Sequence, residues 1–276
     1  MGYRGILVYD KADAEYNKWF IEHIIETGME LGLFIKLMLT EELAENGLSS
    51  ISGKNCDFAI MRNRNCEMNA ILEEKGIKCF NSSYVCKIGN DKWEMYRDFS
   101  SAGIPVMYTQ CSKLPYPFIM KPHDGHGGEN VYLVCNADEL EKVKNSKTED
   151  ELSRYIYQMP ASEKGRDIRV YVIGDTIVTA MERKALEGTE EFRANFSLGG
   201  TASEHALTEE ELKLVAKTAN HIKADFVGID LIYNNGKPVV NEVEDAVGTR
   251  MLYKYTDIDP VIEYLKWIKT SLEGLV

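Results

Sequence analysis

Phe226-Val-Gly-Ile-Asp-Leu-Ile-Tyr-Asn-Asn-Gly-Lys-Pro-Val-Val-Asn-Glu-Val-Glu244 is the stretch on which the fold turns. Two apolar, β-branched runs flank Asn234-Asn-Gly236, which predicts a hairpin with arms over Phe226–Tyr233 and Pro238–Val243. Glu242 and Glu244 are two apart on one arm, so both point to one face. Asp230 lies on the neighbouring arm, close enough for three carboxylates to converge. Such a cluster repels itself unless a cation holds it, and hard oxygen ligands suit Mg²⁺ or Mn²⁺. Magnesium takes few protein carboxylates and prefers phosphate oxygens, so the cluster implies a nucleotide. The bland alternative is a solvent-facing acidic hairpin edge.

Working outward, Thr208 followed by Glu211 is a capping box that opens a helix to about Ile222. Upstream, Asp167–Ile173, the turn Gly174-Asp175 and Thr176–Met181 predict a second antiparallel hairpin. Residues 161–276 therefore form a strand-rich third segment. Residues 87–160 form a second one: Gly103-Ile-Pro105 marks a helix-to-strand step, and Phe118–Lys121 and Val131–Val134 are strands around a glycine loop. A charged helix follows over about Asp138–Asn145. Residues 1–86 alternate strand and helix: strand Gly5–Tyr9, helix Ala14–Leu31, strand Phe34–Met38, strand Phe58–Met61, helix Asn69–Lys75, strand Ile77–Phe80. Alternation of this kind predicts a doubly wound parallel sheet as the N-terminal unit, so the fold class is α/β joined to α+β.

The chain has 276 residues, 44% hydrophobic and 28% charged, with a formal charge of -12. That balance fits a globular protein and argues against a nucleic-acid partner, which needs clustered Lys and Arg. An acidic surface still admits a locally basic cleft for an anionic small ligand. The six cysteines (Cys56, Cys66, Cys79, Cys86, Cys111, Cys135) contain no C-x-x-C pair and read as reduced thiols. No signal peptide and no run of membrane-spanning length is evident, which places the expectation in the cytoplasm without a membrane partner.

Two further groups carry charge. Lys121 ends an apolar strand, a costly place for a cation unless an anion meets it. Asp124, Gly125, Gly127 and Gly128 follow it, and glycines there let backbone N–H groups approach a phosphate closely. The loop is neither G-x-G-x-x-G nor a Walker pattern, and a plain turn is its alternative reading. The other group is basic: Arg166, Arg169, Arg183, Lys184 and Arg193. A buried arginine wants a bidentate acid, so these suit phosphate or a substrate carboxylate, or else cross-strand pairing with Glu182 or Asp167.

In order along the chain, these residues resemble the RimK-like branch of the ATP-grasp superfamily, from about Asn81 to the C-terminus. The matching stretches are Asn90-Asp-Lys92, Gly103-Ile-Pro105, Lys121-Pro122 with the glycine loop, and Gly165-Arg-Asp-Ile-Arg169. They continue through Glu182-Arg183, Phe192-Arg-Ala-Asn195 with Gly199-Gly200, Val227-Gly-Ile-Asp230 and Asn241-Glu-Val-Glu244. The resemblance implies an ATP-grasp fold and a ligase that joins a carboxylate to an amine through an acyl-phosphate. It implies that Lys92 and Lys121 contact ATP phosphates and that the loop from Asp124 to Gly128 closes over them. Gln158, Met159 and Pro160 would lie at the adenine, Asp167 at the ribose, and Asp230 and Glu242 at the metals. Arg183, Arg193 and Asn195 match positions that contact the transferring phosphate or the acceptor. The family commonly reads Glu-x-Asn and then Pro-Gly, whereas here Glu244 replaces the asparagine and Val247 the proline, with Arg250 close behind.

Glu244 is still an oxygen ligand, so the resemblance keeps it in the metal set and leaves the acceptor amine as the point in doubt. Arg62 and Arg64, after the Phe58 strand, are candidates to receive a substrate carboxylate, with Arg169 a third. The expected substrates are small molecules or peptides, and a homo-oligomer is compatible with the resemblance. Two competing readings are an ATP-grasp kinase, which would release ADP without phosphate, and a non-catalytic nucleotide- or peptide-binding protein.

Overall fold

In the computed structural model, which describes residues 2–185 and 201–274, the strands gather into three sheets. The first is built from β1 (Tyr3–Tyr9), β2 (Leu33–Leu39), β3 (Phe58–Met61) and β4 (Lys78–Phe80), in the order β2-β1-β3-β4 and parallel throughout. Helices α1 (Lys11–Tyr16), α2 (Lys18–Leu31), α3 (Thr40–Glu42) and α4 (Cys66–Glu74) connect these strands. The single expected helix over Ala14–Leu31 is two helices, α1 ending on Asn17, whose side-chain amide donates to the Asp13 carbonyl. That competition for backbone acceptors is what makes asparagine a poor helix-interior residue.

Helices α5 (Ser83–Asn90) and α6 (Lys92–Ser101) lead into the second sheet. It contains β5 (Thr109–Gln110), β6 (Phe118–Pro122), β7 (Tyr132–Val134) and, after α7 (Ala137–Asn145) and α8 (Glu149–Ser153), β8 (Tyr155–Gln158). The order is β5-β8-β6-β7, antiparallel, with Phe118 opposite Val134 across the glycine loop. The third sheet runs β11-β10-β9-β12-β13, from β9 (Arg166–Ile173), β10 (Thr176–Lys184), β11 (Thr201–Glu204), β12 (Phe226–Asn234) and β13 (Lys237–Glu244). Helix α9 (Glu209–Ile222) carries the expected Thr208–Glu211 capping box. Helices α10 (Arg250–Tyr255) and α11 (Pro260–Leu272), which the strand pattern did not reveal, close the chain.

The third sheet separates two cores. Ile168, Val170, Val172, Ile229, Leu231 and Val243 face Phe99 of α6 and Val215 of α9. Tyr171, Ile173, Met181 and Phe226, on the opposite face, pack with Leu265 and Ile268 of α11 and with Leu7, Phe58 and Phe80 of the first sheet. Each such buried side chain contributes about 1.5–3 kcal/mol. Strand alternation puts Asp167, Arg169, Arg183, Asp230, Glu242 and Glu244 on that second face too. The face is thus apolar at one end, where it is roofed by α11, and charged at the other. Among the described residues no helix is long and apolar enough to cross a membrane.

Candidate functional site

The charged end of the third sheet and the glycine loop of the second enclose one cleft. Its walls include Lys92, Lys121, Gly125, His126, Gly128, Gln158, Asp167, Asn241 and Glu242. Lys121 is the penultimate residue of β6 and is only 5% exposed. Its Nζ donates to Tyr96 Oη at 2.8 Å and to Gln158 Oε1 at 3.0 Å, both neutral acceptors. Tyr96 Oη in turn donates to the Asn241 carbonyl at 2.6 Å. Burial, and then repulsion from Lys92, lower the Lys121 pKa to about 7. Lys92, at the start of α6, differs. Burial alone would lower it too, but Glu242, 2.8 Å away, holds its pKa above the ordinary value.

Lys92 also donates to the Gly125 carbonyl, and its backbone N–H donates to the His123 carbonyl at 2.8 Å, so α6 grips the loop twice. Gly127 and Gly128 have φ of 64° and 76°, the left-handed region that favours glycine. Asp124 instead pairs with Arg154, whose Nη1 lies 2.8 Å from its Oδ2, and does not line the cleft. Neither His123 nor His126 is a fully exposed loop residue; both are half-buried. Burial, with Arg64 and Lys92 nearby, lowers His126 to about 4, so it is neutral at pH 7. Gln158 is buried at the cleft wall, whereas Met159 is 39% exposed and does not line the cleft. The Met159 N–H is taken by the Tyr108 carbonyl. Pro160 does line the cleft.

The carboxylates are held differently from the sequence expectation, in which only a bound cation could keep them together. Asp230, 3% exposed, is opposite Glu242 on β13 and opposite Arg169 on β9. Arg169 Nε and Nη2 meet its two oxygens at 2.8 and 2.7 Å, and Arg183 Nη2 adds a third contact at 2.7 Å. Arg169 also reaches Glu244 at 2.6 Å. Arg183 makes a bidentate pair with Asp167, at 2.6 and 2.9 Å. Protein cations therefore hold the cluster. Burial would raise the Asp230 pKa, but the two arginines outweigh it and hold the carboxyl well below the usual range. Burial dominates at Asp167 and Glu244, whose pKa values are raised.

Arg169 and Arg183 are thus committed to acids of the protein, which corrects their reading as free receptors for phosphate or substrate. Asp167 lines the cleft, yet both its oxygens accept from Arg183, so a ribose would share them. Among the described residues no group of three or more His, Cys, Asp or Glu side chains converges as a cation cage. The donor chemistry still fits a divalent ion. Glu242 Oε2 and Glu244 Oε2 take no protein hydrogen bond among the described residues, and a carboxylate such as Asp230 keeps lone pairs beyond its two arginine contacts.

A second correction concerns Arg62. Its Nη2 donates to the carbonyls of Ala246 and Val247, at 3.3 and 2.9 Å, and its Nε to Tyr9 Oη. The segment after β13 is held at four successive carbonyls: Asp245 by Asn81, Ala246 and Val247 by Arg62, and Gly248 by Tyr171. Val247, the residue in place of the family's proline, packs against Gly228, where a Cβ would lie 2.7 Å from its Cγ2. Arg64 is exposed and close enough to His126 to repel its proton. Arg193 and Asn195 lie outside the described residues. The sequence reading missed Ile119, Leu133 and Ile232, which give the cleft its apolar wall, and also Lys164. The Ile119–Lys121 spacing, two apart on one strand, was the available signal for the first of them.

Comparison with known proteins agrees with this architecture. The family model of the RimK-like ATP-grasp domain matches residues 87–268. A probable alpha-L-glutamate ligase of Mannheimia succiniciproducens is 27% identical over 221 residues, covering 76% of this chain and 73% of that protein. Among solved structures, the D-alanine–D-alanine ligase of Bacillus anthracis superposes with a TM-score of 0.72 at 14% identity, over 100% of this chain and 98% of that one. An ATP-grasp RimK domain protein from Sphaerobacter thermophilus gives 0.69 at 18% identity, over 98% and 100%. The fold is the one these ATP-grasp proteins share.

Proposed function

The chain belongs to the RimK-like ATP-grasp family, and from that premise we propose that it is an ATP-dependent, ADP-forming carboxylate–amine ligase. The observation that carries the reading is Lys121. A buried ammonium whose contacts are a tyrosine hydroxyl and an amide oxygen, opening on a glycine loop, is incomplete without an anion. A triphosphate completes it. Lys92 and Lys121 hold the phosphates in line, the glycine loop closes over them, and Ile119, Leu133 and Ile232 shield the base from water.

Asp230, Glu242 and Glu244 would hold Mg²⁺ or Mn²⁺, which neutralises phosphate oxygens as charge develops. A substrate carboxylate oxygen attacks the γ-phosphorus, forming the acyl-phosphate and releasing ADP. An amine then attacks the acyl carbon, and phosphate leaves as the amide forms. No protein nucleophile is needed, since positioning and charge supply most of the acceleration. Arg183 holds Asp167 and Asp230 in place, and by family resemblance Arg193 and Asn195 contact the transferring phosphate or the acceptor carboxylate.

Residues 1–86 form the acceptor side, and residues 87–160 and 161–276 grip the nucleotide between them. The Mannheimia succiniciproducens relative is named a probable alpha-L-glutamate ligase, and the exposed Arg64 is suited to an α-carboxylate. Glutamate, offered with other amino acids and short peptides, is therefore the first substrate to try. A cytoplasmic setting is supported by six cysteines that are all free thiols, and a homo-oligomer belongs to the proposal by resemblance alone. The test is ADP and phosphate release with MgATP across that panel. Equal release of both, stimulated only by a carboxylate and an amine together, is expected. ADP without phosphate identifies a kinase, and ATP binding with no stimulated release identifies a binding protein.

A further inference from the structure

Outside the cleft, two thiols meet. Cys66 is the first residue of α4 and Cys86 sits in the middle of α5, and their Sγ atoms are 2.9 Å apart. The other four cysteines are free as well, but among the described residues this is the one thiol–thiol contact. The two sulfurs are unequal in access: Cys66 is half-buried and Cys86 fully buried. We propose that Cys66 and Cys86 are a reversible dithiol–disulfide site, with Cys66 the attacking thiol and Cys86 the resolving one.

The chemistry balances with a low-molecular-weight disulfide as oxidant. The Cys66 thiolate attacks one sulfur of oxidised glutathione, forming a mixed disulfide and expelling one glutathione thiolate. Cys86, having lost its proton to solvent, attacks the Cys66 sulfur; the protein disulfide forms and a second glutathione thiolate leaves. The protein loses two electrons and two protons, and glutathione disulfide is reduced to two thiols. Closing 2.9 Å to a bond of about 2.05 Å asks for a shift of roughly 1 Å. The start of a helix favours a thiolate at Cys66. The hydrogen bond with Cys86 also lowers the Cys66 pKa, while the same bond and burial raise that of Cys86.

The site lies where it can act on the acceptor side. Cys66 follows Arg62, which holds the carbonyls of Ala246 and Val247. Cys86 lies against Asn90, whose side chain donates to the Cys86 carbonyl at 2.9 Å and to Asp245 Oδ1 at 3.2 Å. Oxidation therefore staples the start of α4, four residues after Arg62, to the helix that carries Asn90.

The experiment incubates the full-length protein with oxidised glutathione, blocks remaining thiols and maps peptides without reduction. A Cys66–Cys86 linked peptide is expected, lost on dithiothreitol treatment and absent from Cys66→Ser. Cys86→Ser, if folded, should instead retain glutathione on Cys66. Glutathione persisting on Cys66 of the wild type without a linked peptide overturns the site. Turnover should fall about tenfold or more in the oxidised wild type, since a displacement near 1 Å is costly in an active site, and should recover on reduction. Cys66→Ser should show no such fall. Unchanged turnover in fully linked enzyme overturns the coupling to residues 245–248. The peptide map needs no substrate, so it stands whether or not the ligase reading does.

Discussion

Raising the pH from 8 to 9 should weaken ATP binding about tenfold, and the cause should be Lys121. The free enzyme holds this lysine at about 7 instead of the ordinary 10.5, through burial and then Lys92. That displacement disfavours the charged form by on the order of 5 kcal/mol. A phosphate beside the ammonium reverses it, so ATP binds the protonated form. At pH 8 roughly nine-tenths of the free enzyme is neutral at this position, and binding should take up close to one proton per ATP. Phosphate groups titrate near about 6, below this window, and so contribute little to the slope. Lys92 contributes none, because Glu242 keeps it charged. Isothermal calorimetry in buffers of different ionisation enthalpy measures the uptake directly. Lys121→Met should weaken binding and abolish both uptake and slope. Lys121→Arg, charged at every pH tested, should remove the slope alone. The same displacement predicts the sign of a stability effect. Between pH 7 and 10.5 the unfolded chain binds more protons at this site, so the free enzyme should gain stability as pH rises. A wild-type affinity that is flat from pH 7.5 to 9, with no proton uptake, refutes the reasoning.

Asp230→Asn leaves two buried arginines short of an acid, and urea denaturation should show a loss of about 3–5 kcal/mol; an unchanged midpoint would mean that the arginines repair the site elsewhere. Arg64→Ala should raise the acceptor KM about tenfold while leaving the ATP KM unchanged, and an equal rise in both would remove Arg64 from the acceptor side. Gly127→Ala meets open space but sits at φ 64°, so it should cost about 1 kcal/mol of loop order and appear as a raised ATP KM with an unchanged melting temperature. Asp225, buried with Trp267 Nε1 2.9 Å from its Oδ1, has its pKa raised to about 6 by burial. A raised carboxylate binds more protons folded than unfolded, so stability should fall as pH rises from about 4 to 6. Asp225→Asn should abolish that fall in a pH series of thermal melts.

The strands read from the sequence were legible because period-two patterning and turn chemistry are local: Phe58–Met61 is a strand from end to end, and the two hairpins of the third sheet pair as their turns require, whereas β5, β8 and β11 were not read at all. The residues of the cleft were legible as types and only partly as roles. Lys121 was marked by a charge at the end of an apolar strand, a conflict visible in one dimension. Arg62, Arg169 and Arg183 were not, since whether an arginine serves a ligand or its own protein depends on cross-chain neighbours. Arg62 is matched with carbonyls 184 and 185 residues away. Of the apolar wall, Ile119 was marked only by its spacing from Lys121, and Leu133 and Ile232 were invisible for a related reason. Its members read as ordinary core, and only the open cleft beside them makes them a binding surface.

Glu244 shows how a departure from the family pattern is absorbed by its surroundings. An asparagine there would leave Arg169 to Asp230 alone; the glutamate gives the guanidinium a second acid, at 2.6 Å against 2.7 Å for Asp230. Around the cluster the acids Asp167, Asp230, Glu242 and Glu244 then face the cations Arg169, Arg183 and Lys92, so one negative charge is left uncompensated by direct pairing. Burial raises the Glu244 pKa, which marks it as the acid that would accept a proton most readily of those on Arg169. A divalent ion arriving with the nucleotide would relieve that burden. Glu244→Asn should therefore lower the metal affinity measured with ATP bound, and do so with little loss of stability, because Asp230 still satisfies Arg169. Titration of Mn²⁺ against the ATP complex separates the two effects: a weakened metal isotherm with an unchanged urea midpoint supports the assignment, and an unaltered isotherm refutes it.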